Sequence, residues 1–155
     1  MTANGKKSTS YATADSVSWL LNYAGRLATR RTTSKLQAHG ITPPQWAVLA
    51  QLLEHDGQSL SGLGSRALFD GPTMTGIVDR LESSGLVQRR RDSRDRRVIN
   101  LYLTSKGRAL MQQLPPIGRL TDEEMLGGLD PEEIDCLVRT LRRIIELHAA
   151  ETEAV

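Results

Sequence analysis

The chain has 155 residues, 39% hydrophobic and 25% charged, which suits one domain with a sizeable core and is too balanced for a disordered chain. No apolar run approaches the roughly 18 residues that span a membrane, so no membrane partner is expected. The net charge of +2 conceals a division: residues 86–108 hold eight Lys/Arg against two Asp, whereas residues 120–155 hold three Arg against ten acids.

The first dozen residues hold two lysines and no apolar stretch of signal-peptide length, and they are expected to be disordered. A first helix is predicted from about Thr13 to Ala38, with Val17, Leu20, Leu21, Ala24, Leu27 and Ala28 on one face and Gly40 as its stop. Thr42 opens a second helix with Pro43 in its first turn and Gln45 three residues on, a capping-box pattern. It carries Trp46, Leu49, Ala50, Leu52 and Leu53, and His55 and Asp56 are read as closing its end. Ser59 caps a third helix through about Leu68, whose Gly62 and Gly64 leave it dependent on packing.

Asp70, Gly71 and Pro72 signal a fourth helix over Thr73 to Ser84, burying Met74, Ile77, Val78 and Leu81. Its outer face shows Thr73, Thr75, Gly76, Asp79 and Arg80. Period-2 segments follow, Leu86 to Arg91 and Val98 to Leu103, with Asp92 to Arg97 as a hairpin tip. Thr104 starts a fifth helix that Pro115 and Pro116 must interrupt or kink. Asp130, Pro131 and Glu133 then cap a last helix with a stripe from Ile134 through Leu137, Val138, Leu141, Ile144 and Ile145 to His148. The final ETEAV is expected to be disordered.

Two short helices with a brief connection and a basic β-hairpin directly after them make a winged helix-turn-helix. A helix with short polar residues outward fits the major groove of duplex DNA, about 12 Å wide. The hairpin then follows the backbone, and the charge division turns the basic middle toward the polyanion.

Asp70 to Leu110, DGPTMTGIVDRLESSGLVQRRRDSRDRRVINLYLTSKGRAL, resembles the recognition helix, wing and following helix of MarR-type transcription regulators. Gly128 to Ile144, GLDPEEIDCLVRTLRRI, resembles the family's final dimerisation helix, and the likeness covers about Ser16 to Leu147. It implies a mostly α fold with a small β-hairpin wing. The winged lobe would span about residues 42–104, and dimerisation helices about 13–39 and 104–150. It also implies a homodimer on a palindromic operator, acting as a repressor.

The resemblance implies a role for each matching residue. Arg97 would enter the minor groove, with Asp95 holding its guanidinium. Arg94 and Arg96 would contact phosphates, joined by Arg89, Arg90 and Arg91. Thr73 and Thr75 would meet phosphates or base edges, and Arg80 the groove or backbone. Asp79 reads better as an ion-pair partner inside the lobe. Many relatives carry a long polar or basic side chain where this chain has Gly76, so base reading falls to Thr73, Thr75 and Arg80.

Family members usually respond to small molecules, often phenols or aromatic carboxylates, which implies an effector site here. Trp19, Tyr23, Arg26 and Arg30 share a second face of the first helix, two rings followed by two cations, suited to an aromatic carboxylate or its coenzyme A thioester. Trp46 would close that pocket, with His39 nearby. The alternative is that the rings pack in the dimer and the arginines are solvated.

Cys136 is the one cysteine, which excludes an intrachain disulfide and points to a reducing cytoplasm. It is expected to be buried and inert, with a thiol-based redox sensor as the alternative. With three scattered histidines, His39, His55 and His148, neither a metal nor a cofactor is expected. No catalytic motif stands out, so an enzyme is not expected. A protein–protein adaptor remains the competing non-enzymatic reading, although it has no need of six arginines between Arg89 and Arg97.

Overall fold

A computed structural model describes residues 16–67 and 69–152. The first helix, α1, runs Val17–Leu36 and passes into a 3-10 turn, Gln37–His39, so the regular helix ends two residues before Ala38. The expected start at Thr13 lies outside the described residues, as does Leu68. Next comes α2, Pro43–Glu54, where Gln45 Oε1 accepts the Thr42 N–H at 2.9 Å as the capping pattern requires.

A two-residue strand, β1 (Gln58–Ser59), precedes α3 (Leu60–Ala67). The Ser59 hydroxyl accepts the Gly62 N–H and opens α3 as expected. Gly64 is buried, and a Cβ there would lie 3.3 Å from the Phe69 carbonyl and 3.5 Å from Met74. The absence of a side chain therefore lets α3 seat against α4 (Gly71–Ser83). That helix starts two residues earlier than Thr73, because the Asp70 carboxylate accepts the Thr73 N–H at 2.7 Å and so caps a first turn containing Pro72.

Strands β2 (Val87–Arg91) and β3 (Ile99–Leu103) pair antiparallel in the register Val87–Leu103 to Arg91–Ile99, and β1 adds on the far edge of β3. Thr104 caps α5 (Ser105–Gln113) through the Gly107 N–H. The prolines interrupt the helix outright, and α6 (Ile117–Leu126) begins directly after them. The last helix, α7, spans Pro131–Thr152, so Glu151 and Thr152 of the expected disordered tail are helical.

The core lies inside the winged lobe. Leu49, Leu52, Leu63, Met74, Val78, Leu81 and Leu101 are completely or almost completely buried, and Leu36 and Ile117 bring α1 and α6 onto its edge. Glu124 also ties α6 to α1, accepting from Lys35 at 2.7 Å and Arg31 at 3.3 Å. The outer helices differ. Val17, Leu20, Leu21 and Leu27 on α1 and Leu137, Val138, Ile145 and Leu147 on α7 are exposed in the single chain. The expected apolar stripes exist, but the described residues leave these positions uncovered. Cys136 is likewise exposed on α7, which corrects the expectation of a buried thiol.

Among the described residues no helix is long and apolar enough to cross a membrane. No cluster of three or more His, Cys, Asp or Glu among them has the arrangement to hold a metal.

Candidate nucleic-acid interface

The outer face of α4 presents Thr73, Thr75, Asp79 and Arg80, all exposed, opposite the buried Met74, Ile77, Val78 and Leu81. Hydrogen bonds from Thr73 hold the Asp70 carboxyl below its ordinary pKa, so the cap stays charged at neutral pH. Beside this face runs a groove of about 490 Å³ lined by Thr42, Pro44, Gln45, Pro72, Thr73, Gly76, Ile77 and Arg80. The start of α2 thus forms the second wall of this groove. Sequence reasoning missed that contribution, because nothing local in Thr42 to Gln45 says which helix they face.

The three consecutive arginines of β2 separate. Arg89 shares the inner face with Val87 and bonds Asp79 at 2.7 Å and Glu82 at 2.5 Å, its backbone N–H also reaching Glu82. Partial burial works against its charged form, but the two carboxylates outweigh that and raise its pKa above the ordinary value. Arg89 is therefore engaged in fastening the wing to α4, which departs from its expected place among the phosphate contacts. Asp79 takes the internal role expected of it. Arg90 lies on the outer face with its guanidinium 5.0 Å from the Tyr102 ring centroid, a cation–π contact. Arg91 is exposed at the last strand position.

Two aspartates build the tip. Asp92 accepts the N–H groups of Arg94 at 2.8 Å and Asp95 at 3.1 Å, and its other oxygen accepts from Asn100 at 3.0 Å. Asp95 accepts Arg97 Nε at 3.1 Å and Nη2 at 3.2 Å, a bidentate pair, together with the Arg97 backbone N–H at 3.0 Å. Both carboxyls sit below their ordinary pKa, Asp92 through the backbone N–H groups of Arg94 and Asp95, and Asp95 through the Arg97 side chain. Arg97 still leaves 91% of its side chain in solvent. Arg94 and Arg96 are exposed and form no ion pair among the described residues. The tip is thus a hydrogen-bonded turn carrying three outward cations. Asp92 was not singled out as a site residue, although an Asp followed within three residues by two unpaired N–H groups is an Asx-turn signal.

The wing's base is set by a contact the sequence did not reveal. Asp56 accepts the Leu103 N–H at 2.9 Å and pairs with Arg108. The end of α2 is closed as expected by His55, its C-cap residue, whose N–H donates to the Gln51 carbonyl at 3.0 Å, and Gln58 Nε2 adds donations to the Gln51 and His55 carbonyls at 2.7 Å each. Asp56 therefore ties the wing to the lobe rather than capping its own helix.

The residues expected for an effector are not gathered. Trp19 and Tyr23 stack with centroids 5.1 Å apart, on an open part of α1 where Arg26 and Arg30 are also exposed. His39 lines a cavity of about 380 Å³ with Ile41, Gln45, Leu86, Lys106 and Gln113. Trp46 lines another, of about 280 Å³, with Leu53, Met111, Pro116 and Arg119. None of the four α1 residues lies in either wall. Spacing along one helix gave their shared face correctly, but the loop after α1 carries His39 to the lobe side.

The sequence model of the MarR family matches residues 41–99. The HTH-type transcriptional repressor NicR of Pseudomonas putida is 32% identical over 142 residues, covering 89% of this chain and 87% of that protein. A solved probable transcriptional regulator from Pseudomonas aeruginosa superposes with a TM-score of 0.78 at 30% identity, covering 85% of this chain and 98% of that one. BpsR of Bordetella bronchiseptica, whose DNA binding is regulated by 6-hydroxynicotinic acid, superposes with a TM-score of 0.76 at 28% identity, covering 83% and 97%.

Proposed function

The chain belongs to the MarR family of winged helix-turn-helix transcriptional regulators, and on that premise we propose that it is a homodimeric repressor that binds a palindromic duplex operator and leaves it when a small anionic aromatic compound binds. The observation that carries the reading is the joining of α4 to the wing by Arg89, Asp79 and Glu82. That clamp holds a polar helix and a tip with Arg94, Arg96 and Arg97 outward as one unit. A duplex accepts such a unit with the helix in the major groove and the tip in the adjacent minor groove. Thr73, Thr75 and Arg80 serve the first, and Arg97 the second, with Arg90, Arg91, Arg94 and Arg96 on phosphates.

Titrating the protein against the promoter of its own gene at rising salt tests this. Binding is expected to be sequence-selective and to weaken steeply with salt, because each phosphate contact releases counterions. Equal binding to all sequences at physiological salt would refute it.

The effector class is supported by NicR, named a repressor, and by BpsR, regulated by a hydroxylated pyridine carboxylic acid. Two places in this chain offer rings or cations to such an acid or its coenzyme A thioester: the Trp19, Tyr23, Arg26 and Arg30 face, and the cavity of His39 and Lys106. Lys106 Nζ donates to the Ser84 carbonyl at the end of α4 at 2.8 Å, which places that cavity against the reading helix. Titrating 6-hydroxynicotinate, benzoate and cinnamate while following tryptophan fluorescence and DNA release tests occupancy and coupling together. Loss of the response in Trp19→Phe and Arg26→Ala favours the α1 face, and loss in Lys106→Met favours the cavity. A panel without any response would refute this effector class.

A further inference from the structure

We propose that the bare position at Gly76 is a notch through which α4 receives the methyl edge of a thymine in the operator's major groove. The inference rests on the DNA-binding reading above and adds the base that is read. Glycine in a helix interior costs about 0.8–1 kcal/mol relative to alanine, and Gly76 stands in the middle of α4. Nothing among the described residues requires it. It is not among the positive-φ glycines, and a Cβ built there meets no atom within 4 Å. Gly107 shows the contrast, since its Cβ would strike the Leu86 carbonyl oxygen at 2.1 Å. Folding explains Gly107 and leaves Gly76 unexplained. One use of a bare backbone on an exposed helix face is close approach by a partner.

The surroundings specify that partner. Gly76 opens on the groove between α4 and the start of α2, with Pro44, Pro72 and Ile77 as apolar walls and Gln45, Thr73 and Arg80 as polar ones. Asp79 and Glu82 of the same helix fasten the cationic wing beside it, so the partner is a polyanion. In the major groove, thymine presents a methyl group beside an acceptor oxygen, a pairing no other base offers. The methyl suits the apolar walls, the oxygen is within the chemistry of a threonine or glutamine donor, and Arg80 suits the adjoining phosphate. An alanine methyl at position 76 would fill the space the thymine methyl needs.

The test starts from a duplex selected out of a random library by the wild-type protein. Each thymine is then replaced singly by deoxyuridine, which deletes only the methyl. Wild type is expected to lose about fourfold in affinity at one thymine in each half-site, the worth of one buried methyl. Gly76→Ala is expected to melt at a higher temperature than wild type yet bind the selected duplex about tenfold more weakly, with no further loss on deoxyuridine replacement. A merely structural glycine would move stability and binding together. Deoxyuridine that is neutral at every position, or Gly76→Ala binding as tightly as wild type, would overturn the notch and leave the DNA-binding reading intact. A library yielding no preferred sequence would overturn that reading and the notch with it.

Discussion

Leu49, Leu52, Leu63, Leu81 and Leu101 of the winged lobe are fully withdrawn from solvent, whereas Val17, Leu20, Ile145 and Leu147 on α1 and α7 keep between 49 and 67% of their surface exposed. The two regions use similar residues. They differ in where the complementary surface comes from: inside the lobe three helices and a sheet close over one another, while α1 and α7 each present a stripe that the described residues leave uncovered. Burial of apolar surface drives folding and association by the same physics. The lobe therefore closes its own core with the help of Leu36 and Ile117 from α1 and α6, and the exposed stripes of α1 and α7 await a second molecule, which we propose is another copy.

That contrast breaks most visibly if α7 is removed. A chain ending before Asp130 is expected to sediment as a monomer while its lobe still unfolds cooperatively, since the Ile134 to Ile145 stripe is lost and the lobe core is untouched. A truncated protein that remains dimeric would show that α1 and α6 suffice for association.

The converse experiment strikes the lobe alone. Gly107→Ala forces a methyl against the Leu86 carbonyl oxygen, which Thr104 needs for its backbone and side-chain bonds. A loss of about 3 kcal/mol in denaturant unfolding is expected, the upper part of the range for overpacking. A change below about 0.5 kcal/mol, the level of ordinary surface substitutions, would mean that the β2–α5 junction is looser than it looks.

Arg97→Ala sharpens the comparison within the lobe itself, between residues that hold it together and residues that face outward. Arg97 is highly exposed and pairs only with Asp95 among the described residues. Its removal is expected to leave the melting temperature unchanged and weaken operator binding by about 1–3 kcal/mol. Arg89→Ala is expected to lower stability as well, because Asp79 and Glu82 lose their shared partner. Equal effects of the two substitutions on stability would erase the distinction.

The smallest effect is on acidification. Asp92 and Asp95 have their carboxyl pKa values lowered by the N–H donors and guanidinium around them. For a lowered carboxylate, the stabilisation is complete above the unfolded-state pKa and disappears as pH falls through the folded-state value. The amides of Arg94, Asp95 and Arg97 are thus expected to stay unchanged in NMR spectra from neutral pH to about 5 and to loosen only below about 4. Loosening near pH 6 would show that other groups hold the tip.

Much of this architecture was legible locally. Asp70, Thr104 and Gln45 announce their helix starts because a cap is satisfied within three residues of itself. The hairpin and its tip were legible because alternation and a turn are also short-range. The partition of the arginines was not. Period 2 says that Arg89 and Arg90 point to opposite faces, but only the packing of α4 beside β2 decides that the inner face offers two carboxylates and the outer one a tyrosine ring.

The same limit explains the elements that were missed or misplaced. The strand β1 is too short to alternate and exists because Gly57, at φ +74, delivers its N–H to Leu101. Asp56 meets Arg108 across 52 residues of chain, a separation no local window spans. His39 and Trp46 went to cavities away from Trp19 and Tyr23 because the turn after α1 and the break at Pro115 and Pro116 set their surroundings. Order along the chain was enough for helix caps, the hairpin and the charge division, each satisfied by neighbours in sequence. Which charge is spent on the fold and which is left for a partner depends on long-range pairing, and that exists only once the chain has closed on itself.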